Sequence, residues 1–128
     1  MLYHFPSKAA LVDGLASRLA TLMNEDIRLM CDSDEGPAAY YLHSSSITND
    51  AYARTLIAAN KLSGSETARI ADIQRAGQER ILEILERQTG SPAAAQALLL
   101  MGDGLYHNSL IDGVCTSARM PGLRTSRR

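Results

Sequence analysis

The feature that most constrains the fold is a regular apolar stripe in residues 8–31. Its members follow one another at steps of three or four: Val12, Ala16, Leu19, Met23, Ile27 and Met30. This spacing places them on one face of an α-helix. The stripe is widened by Leu11, Leu15, Leu22 and Leu29, so we expect more than one neighbouring helix to cover it. A polar run ends the helix, and Pro37 suits the first turn of the next one.

Turn signals divide the rest of the chain into four further helical segments, at 37–46, about 50–62, about 66–88 and 92–112. Thr48 or Asn49 is expected to cap the third helix, and Ser63 with Glu66 has the spacing of a capping box. Gly90 is expected to end the fourth helix, and Ser91 to cap the fifth. The pattern predicts an all-α bundle of about five helices.

Composition agrees with this fold class. The chain of 128 residues contains one Phe, five Tyr and no Trp. Strands favour aromatic and β-branched side chains, so this scarcity favours helices. The net charge of −1 gives the chain as a whole no electrostatic basis for binding nucleic acid or an acidic membrane.

The sequence contains no pattern typical of a catalytic, metal or cofactor site. Cys31 and Cys115 are far apart and lack the Cys/His spacing of a metal site. No phosphate loop, metalloprotease motif or nucleophile elbow is present. We therefore expect a protein that is not an enzyme and uses no cofactor. Because neither a signal peptide nor a membrane-spanning run is visible, we also expect a cytoplasmic protein without a membrane partner.

Methionine and tyrosine side chains suit the wall of a ligand cavity, because the first are flexible and polarizable and the second carry a polar tip. The candidates for such a cavity are Met23, Tyr40, Tyr52, Met101, Tyr106 and His107. At helical spacing, the same residues also suit ordinary core packing. Both interpretations remain open from the sequence.

Two segments carry a family resemblance. Residues 3–8, Tyr-His-Phe-Pro-Ser-Lys, predict a helix end, a corner at Pro6 and a new helix capped by Ser7. This stretch resembles the junction of TetR-type (tetracycline-repressor family) transcriptional regulators, where the recognition helix leads into the first helix of the effector domain. Residues 102–106, Gly-Asp-Gly-Leu-Tyr, resemble a helix near the end of many such effector domains.

The resemblance implies an all-α ligand-binding and dimerisation domain of a regulator, most often a repressor, that acts as a homodimer. A small, largely apolar effector would release DNA. By resemblance, Tyr3, His4 and Lys8 would approach DNA phosphates, whereas a solvated Lys8 is the alternative. The dimer-interface candidates are Leu98, Gly102 and Leu105.

The predicted organisation follows from this resemblance. Residues 1–6 would be the remnant of a recognition helix, residues 7–113 the effector domain, and residues 114–128 a basic tail without order. DNA would be a partner only if the missing N-terminal helices are present in the full protein. The alternative is a DNA-free helical module that binds a ligand or sequesters a related regulator.

Overall fold

A computed structural model describes residues 7–47, 49–62 and 67–115, with side chains as far as residue 111. Within these ranges the chain forms five α-helices and no strand. The helices are α1 (Lys8–Asp32), α2 (Pro37–Ser45), α3 (Ala51–Asn60), α4 (Ala68–Thr89) and α5 (Pro92–Cys115). The predicted all-α fold class is confirmed.

Side-chain caps fix where several helices begin. The Ser7 hydroxyl accepts a hydrogen bond from the backbone N–H of Ala10 at 3.1 Å, and the Ser91 hydroxyl accepts one from Ala94 at 3.1 Å. The cap of α3 is Asp50, whose carboxylate accepts from the N–H of Ala53 at 2.8 Å. The expectation of Thr48 or Asn49 is therefore wrong, because the helix begins one residue later than an Asn49 cap would place it and two residues later than a Thr48 cap would. The predicted capping box at 63–66 lies outside the described residues.

The α2 helix lacks a side-chain cap of its own at Gly36. Instead, Gln88 near the end of α4 accepts a hydrogen bond from the backbone N–H of Ala38 at 2.8 Å. Gly36 adopts φ +95°, a left-handed conformation that favours glycine. The start of α2 is thus fixed by a residue 50 positions away along the chain.

All six residues of the α1 stripe are buried. α1 contacts α2, α3 and α4, as the breadth of the stripe predicts. Leu11 and Leu29 nevertheless remain exposed, so the expected cover over the widened stripe is incomplete.

In the part of the chain that the structure describes, the core consists of two clusters that share α1. The first packs its N-terminal half on α3 and α4, through Val12, Ala16, Leu19, Ala59 and Ile70. The second packs its C-terminal half on α2, α4 and α5, through Met23, Ile27, Met30, Tyr41, Ile81, Leu85, Ala95 and Leu99. Tyr52 and Ile73 contact both clusters. The junction of the two clusters is where the bundle opens into a cavity.

α5 continues through Gly102 and Gly104 as one helix and ends at Cys115. The predicted end of the helical domain at residue 113 therefore falls two residues early, within the last turn of α5. The remainder of the predicted basic tail and the predicted remnant at 1–6 lie outside the described residues.

Candidate functional site

A partly open cavity of about 520 Å³ lies inside the bundle, and all five helices line it. Each helix contributes at least one lining residue to the cavity: Met23 and Asp26 from α1, Tyr41 from α2, Tyr52 from α3, Gly77 from α4 and Tyr106 from α5. A cavity with walls from every helix is sensitive to the relative placement of all of them.

Two close helix approaches shape the cavity, and each takes place over a glycine. The thioether of Met23 lies over Gly77, where a β-carbon would overlap the sulfur atom. The ring of Tyr41 lies over Gly102, where a β-carbon would overlap the ring. The first contact joins α1 to α4 and the second joins α2 to α5. All four residues line the cavity, so the same contacts that close the bundle also form its wall.

Half of the six cavity candidates reach this site. Met23, Tyr52 and Tyr106 line the cavity, whereas Tyr40, Met101 and His107 do not. Tyr40 lies one step away, because its hydroxyl donates a hydrogen bond to the lining residue Asp26 at 2.7 Å. Met101 is 53% exposed and His107 is exposed, both on the outside of α5. Because residues 93–101 are apolar nearly all round, the sequence did not indicate which face of α5 is internal.

The dimer-interface candidates divide in a similar way. Leu98 is half-buried against the second core cluster, and Gly102 is buried beneath Tyr41 of the same chain. Only Leu105, at 37% exposure, faces outward. The largest exposed apolar side chains of α5 are instead Leu100, Met101 and Ile111. Leu98 and Gly102 thus pack within the bundle of a single chain, and their place at a subunit contact stays a prediction.

Of the three phosphate-contact candidates, only Lys8 belongs to the described residues. It occupies the first position of α1, next to the Ser7 cap, and its side chain is exposed. Tyr3 and His4 lie outside the described residues.

Sequence reasoning missed the acidic members of the site. Asp26, Asp50 and Asp103 line the cavity. Asp26 is half-buried, while Asp50 and Asp103 are exposed at the rim. In the sequence Asp26 and Asp50 resemble ordinary solvent-facing acids, and nothing in their spacing distinguishes them. Asp103 stands in the resemblance motif four residues before His107, a spacing that suits either an ordinary helix pair or a polar pair facing a pocket.

Burial dominates the electrostatics of two of these carboxyl groups. It raises the pKa of Asp26, against the opposing effect of the Tyr40 hydrogen bond, and the charge of Asp50 raises it further. Burial also raises the pKa of Asp103, and the neighbouring Tyr41 hydroxyl opposes that increase. Both carboxylates therefore lie in surroundings that disfavour their negative charge.

The phenol groups converge on the same space. Burial is the main cause that raises the pKa of Tyr52, followed by the charge of Asp26 and by the Tyr41 and Tyr106 phenols. The Tyr41 hydroxyl donates to the backbone carbonyl of Leu99 at 3.2 Å. The Tyr106 hydroxyl is buried and has no hydrogen-bond partner among the described residues, although Asn60 approaches it and opposes the pKa increase caused by burial. An unpartnered buried hydroxyl costs about 1–3 kcal/mol.

Comparisons with known proteins do not indicate a function for this chain. The chain matches no protein-family model, no curated protein and no solved structure. Among the described residues, no group of three or more His, Cys, Asp or Glu side chains is placed to hold a metal ion. None of the described helices is long and apolar enough to cross a membrane.

The cavity lining is chemically mixed. Apolar side chains such as Leu56 and Ile81 stand beside three tyrosines, three aspartates and several neutral polar groups. A lining of this kind accommodates a molecule with an apolar body and a few polar groups of fixed position. It is more polar than a largely apolar effector requires.

Proposed function

We propose that this chain is the effector-binding and dimerisation part of a transcriptional regulator that resembles the TetR type. The observation that carries the proposal is the cavity lined by all five helices. A ligand bound there touches every helix at once. Such a site suits a sensor, because binding or release of the ligand can alter the packing of every helix in the bundle.

In the proposed mechanism, α1 links ligand binding in the cavity to the DNA-binding part of the regulator. Met23 and Asp26 of α1 line the cavity, and the same helix begins at Lys8 beside the segment that resembles a DNA-binding junction. A ligand that binds one placement of α1 more tightly than another shifts the population towards it. It changes DNA affinity only by that difference in binding free energy.

The proposed homodimer forms through the outer face of α5. We define this face by seven exposed residues, Ala93, Ala97, Leu100, Met101, Gly104, Leu105 and Ile111. Leu100 is 60% exposed. Among the exposed residues of α5 up to residue 111, only Asp103 carries a carboxylate and none is Lys or Arg. An apolar face with small residues among large ones suits packing against a second copy of the same helix.

The first experiment tests the cavity. A library of small molecules is screened for compounds that raise the melting temperature of the full chain. Any hit is repeated with Ala71→Trp, which places an indole at a lining position of α4, and with Ala76→Trp, which places one at an exposed position of α4 outside the lining. We expect Ala71→Trp to abolish the ligand-induced stabilisation and Ala76→Trp to preserve it. A screen without hits, or equal effects of the two variants, contradicts the proposal.

The second experiment tests the dimer. Sedimentation should give twice the chain mass, and Leu100→Glu should reduce it to the monomer mass. Leu29→Glu is the matched control, because Leu29 is an exposed leucine of α1 outside the proposed interface. A monomer at high micromolar concentration, or dissociation by both variants alike, argues against the outer face of α5.

The DNA-binding role is tested at the gene. We expect the coding sequence upstream of Met1 to continue in frame with a helix-turn-helix. A stop codon directly upstream would instead favour the alternative function, a DNA-free module that binds a ligand or sequesters a related regulator.

A further inference from the structure

The charges in the cavity are unbalanced. Asp26, Asp50 and Asp103 line it, and no basic side chain of the described residues lies within ion-pair distance of any of them. Arg75 is a basic residue in the lining, and its guanidinium is held at 2.9 Å by Asp72, which does not line the cavity. With three aspartates and one arginine, the lining has a formal charge of −2, and its arginine is paired with a carboxylate outside the lining.

Asp26 and Asp50 are held by neutral donors and not by basic side chains. Asp26 accepts from the Tyr40 hydroxyl, and Asp50 accepts from the backbone N–H of Ala53. These bonds orient the two groups. Burial and the mutual repulsion of the two carboxylates raise the pKa of Asp26, and a nearby positive charge would relieve both effects.

Aromatic rings complete the arrangement. Tyr41, Tyr52 and Tyr106 line the same cavity as the carboxylates. The face of a phenol ring attracts a cation, most strongly where water is excluded. Met23, Leu56 and Ile81 supply an apolar wall beside them.

We propose that the cavity binds an organic cation, an amine or quaternary ammonium group carried on an apolar body. The cationic group lies among the three aspartates and the tyrosine rings, and the body lies on the apolar wall. This inference rests on the proposed function of the cavity as an effector site, and it names the chemical class of the effector.

The test uses three probes that share one rigid apolar body and differ in charge: 1-adamantylammonium, 1-adamantanol and 1-adamantanecarboxylate. Binding to the full chain is measured by calorimetry. We expect the ammonium probe to bind about tenfold more tightly than the alcohol, and the carboxylate probe not to bind.

Isosteric variants test whether the preference for the ammonium probe arises from the carboxylates of the cavity. Asp26→Asn and Asp103→Asn retain the shape of each side chain and remove its charge. Each should weaken binding of the ammonium probe several-fold and leave binding of the alcohol unchanged. Asp34→Asn is the matched control, since it removes the same charge at an exposed loop position outside the lining. Because two cavity positions are changed separately, the test can still be made if one of the two variants fails to fold.

The aromatic contribution has its own pair of variants. Tyr52→Phe keeps the ring and should bind the ammonium probe as the original chain does. Tyr52→Leu removes the ring and should weaken that binding by a greater factor than binding of the alcohol.

The outcomes separate this inference from the function on which it rests. Tighter binding of the alcohol or the carboxylate, blocked by Ala71→Trp, overturns the cation preference and leaves the effector cavity standing. Equal effects of Asp26→Asn, Asp103→Asn and Asp34→Asn also overturn it. Failure of all three probes overturns it as well, and the library screen then decides the proposed function independently.

Discussion

Tyr41 packs its ring on the α-carbon of Gly102, in the space that a side chain would otherwise occupy. The hydroxyl of the same tyrosine donates to the backbone carbonyl of Leu99, three residues earlier on α5. One side chain thus joins α2 to α5 by both packing and a hydrogen bond. It also forms part of the cavity wall, so the stability of this contact and the shape of the site are linked.

The two glycines of α5 should respond to alanine in opposite directions. Gly102→Ala places a methyl group into the Tyr41 ring, and we expect a loss of about 1–3 kcal/mol in the free energy of unfolding. Gly104 has no atom within 4 Å of its missing β-carbon. Gly104→Ala should therefore gain about 0.5–1 kcal/mol from helix propensity. Urea unfolding followed by circular dichroism measures both, and a loss at Gly104 equal to that at Gly102 would refute the packing of Tyr41 on Gly102.

Gly77→Ala should cost less than Gly102→Ala. The atoms that a methyl group at Gly77 would meet belong to the outer part of Met23, a flexible side chain beside the cavity. Met23 can turn aside, whereas the rigid ring of Tyr41 cannot. The same urea experiment ranks the two variants. A greater loss for Gly77→Ala would mean that Met23 is fixed in place and that the cavity offers it no room.

Asp26 should make stability depend on pH. Because burial raises its native pKa above the ordinary value of 3.8, the native state takes up the proton first as the pH falls. The group therefore lowers the free energy of unfolding at pH 7, and this penalty begins to shrink at the raised native pKa and is gone below the ordinary value of 3.8. Asp26→Asn should be more stable than the original chain at pH 7, with a difference that shrinks in acid.

Thermal unfolding across a pH series measures this difference. Asp34→Asn reports the effect of the same change in net charge at an exposed position. A stability difference for Asp26→Asn that grows as the pH falls would contradict a raised native pKa for Asp26.

Tyr40→Phe should raise the pKa of Asp26 further. The hydroxyl of Tyr40 donates to the Asp26 carboxylate at 2.7 Å and so favours its charged form. Removing that donor leaves burial and the charge of Asp50 to act alone. Titration of the Asp26 carboxyl carbon by NMR measures the change. A pKa of Asp26 that does not rise in the variant would show that the hydrogen bond is not made in solution.

Ser91→Ala should remove the cap of α5. The Ser91 hydroxyl accepts from the N–H of Ala94 at 3.1 Å, so we expect a loss of about 1 kcal/mol in the free energy of unfolding. Ser91→Asp retains an acceptor at the cap and should keep the stability of the original chain. If the two variants unfold at the same urea concentration, the cap contributes nothing to stability.

The helices of this protein follow from local features of the sequence. Three kinds of local signal determine where helices form: the apolar spacing from Val12 to Met30, the serine caps at 7 and 91, and the left-handed Gly90. Each acts within a few residues of the chain and does not depend on contacts between helices. The predicted helix boundaries accordingly differ from the observed ones by a few residues. Helix periodicity also identified the buried face of α1, because one face of that helix is clearly apolar and the other polar.

Which faces meet, and what lies between them, depends on tertiary packing. α5 is apolar on most sides, so periodicity alone did not place Met101 outside or Gly102 beneath Tyr41. Asp26 and Asp50 are distant from Asp103 in sequence, and they line one cavity only because α1, α3 and α5 pack around the same space. The sequence pattern indicates which side chains prefer water and which prefer the interior. It does not indicate which residues a buried or half-buried group will contact, because that depends on how the helices cross.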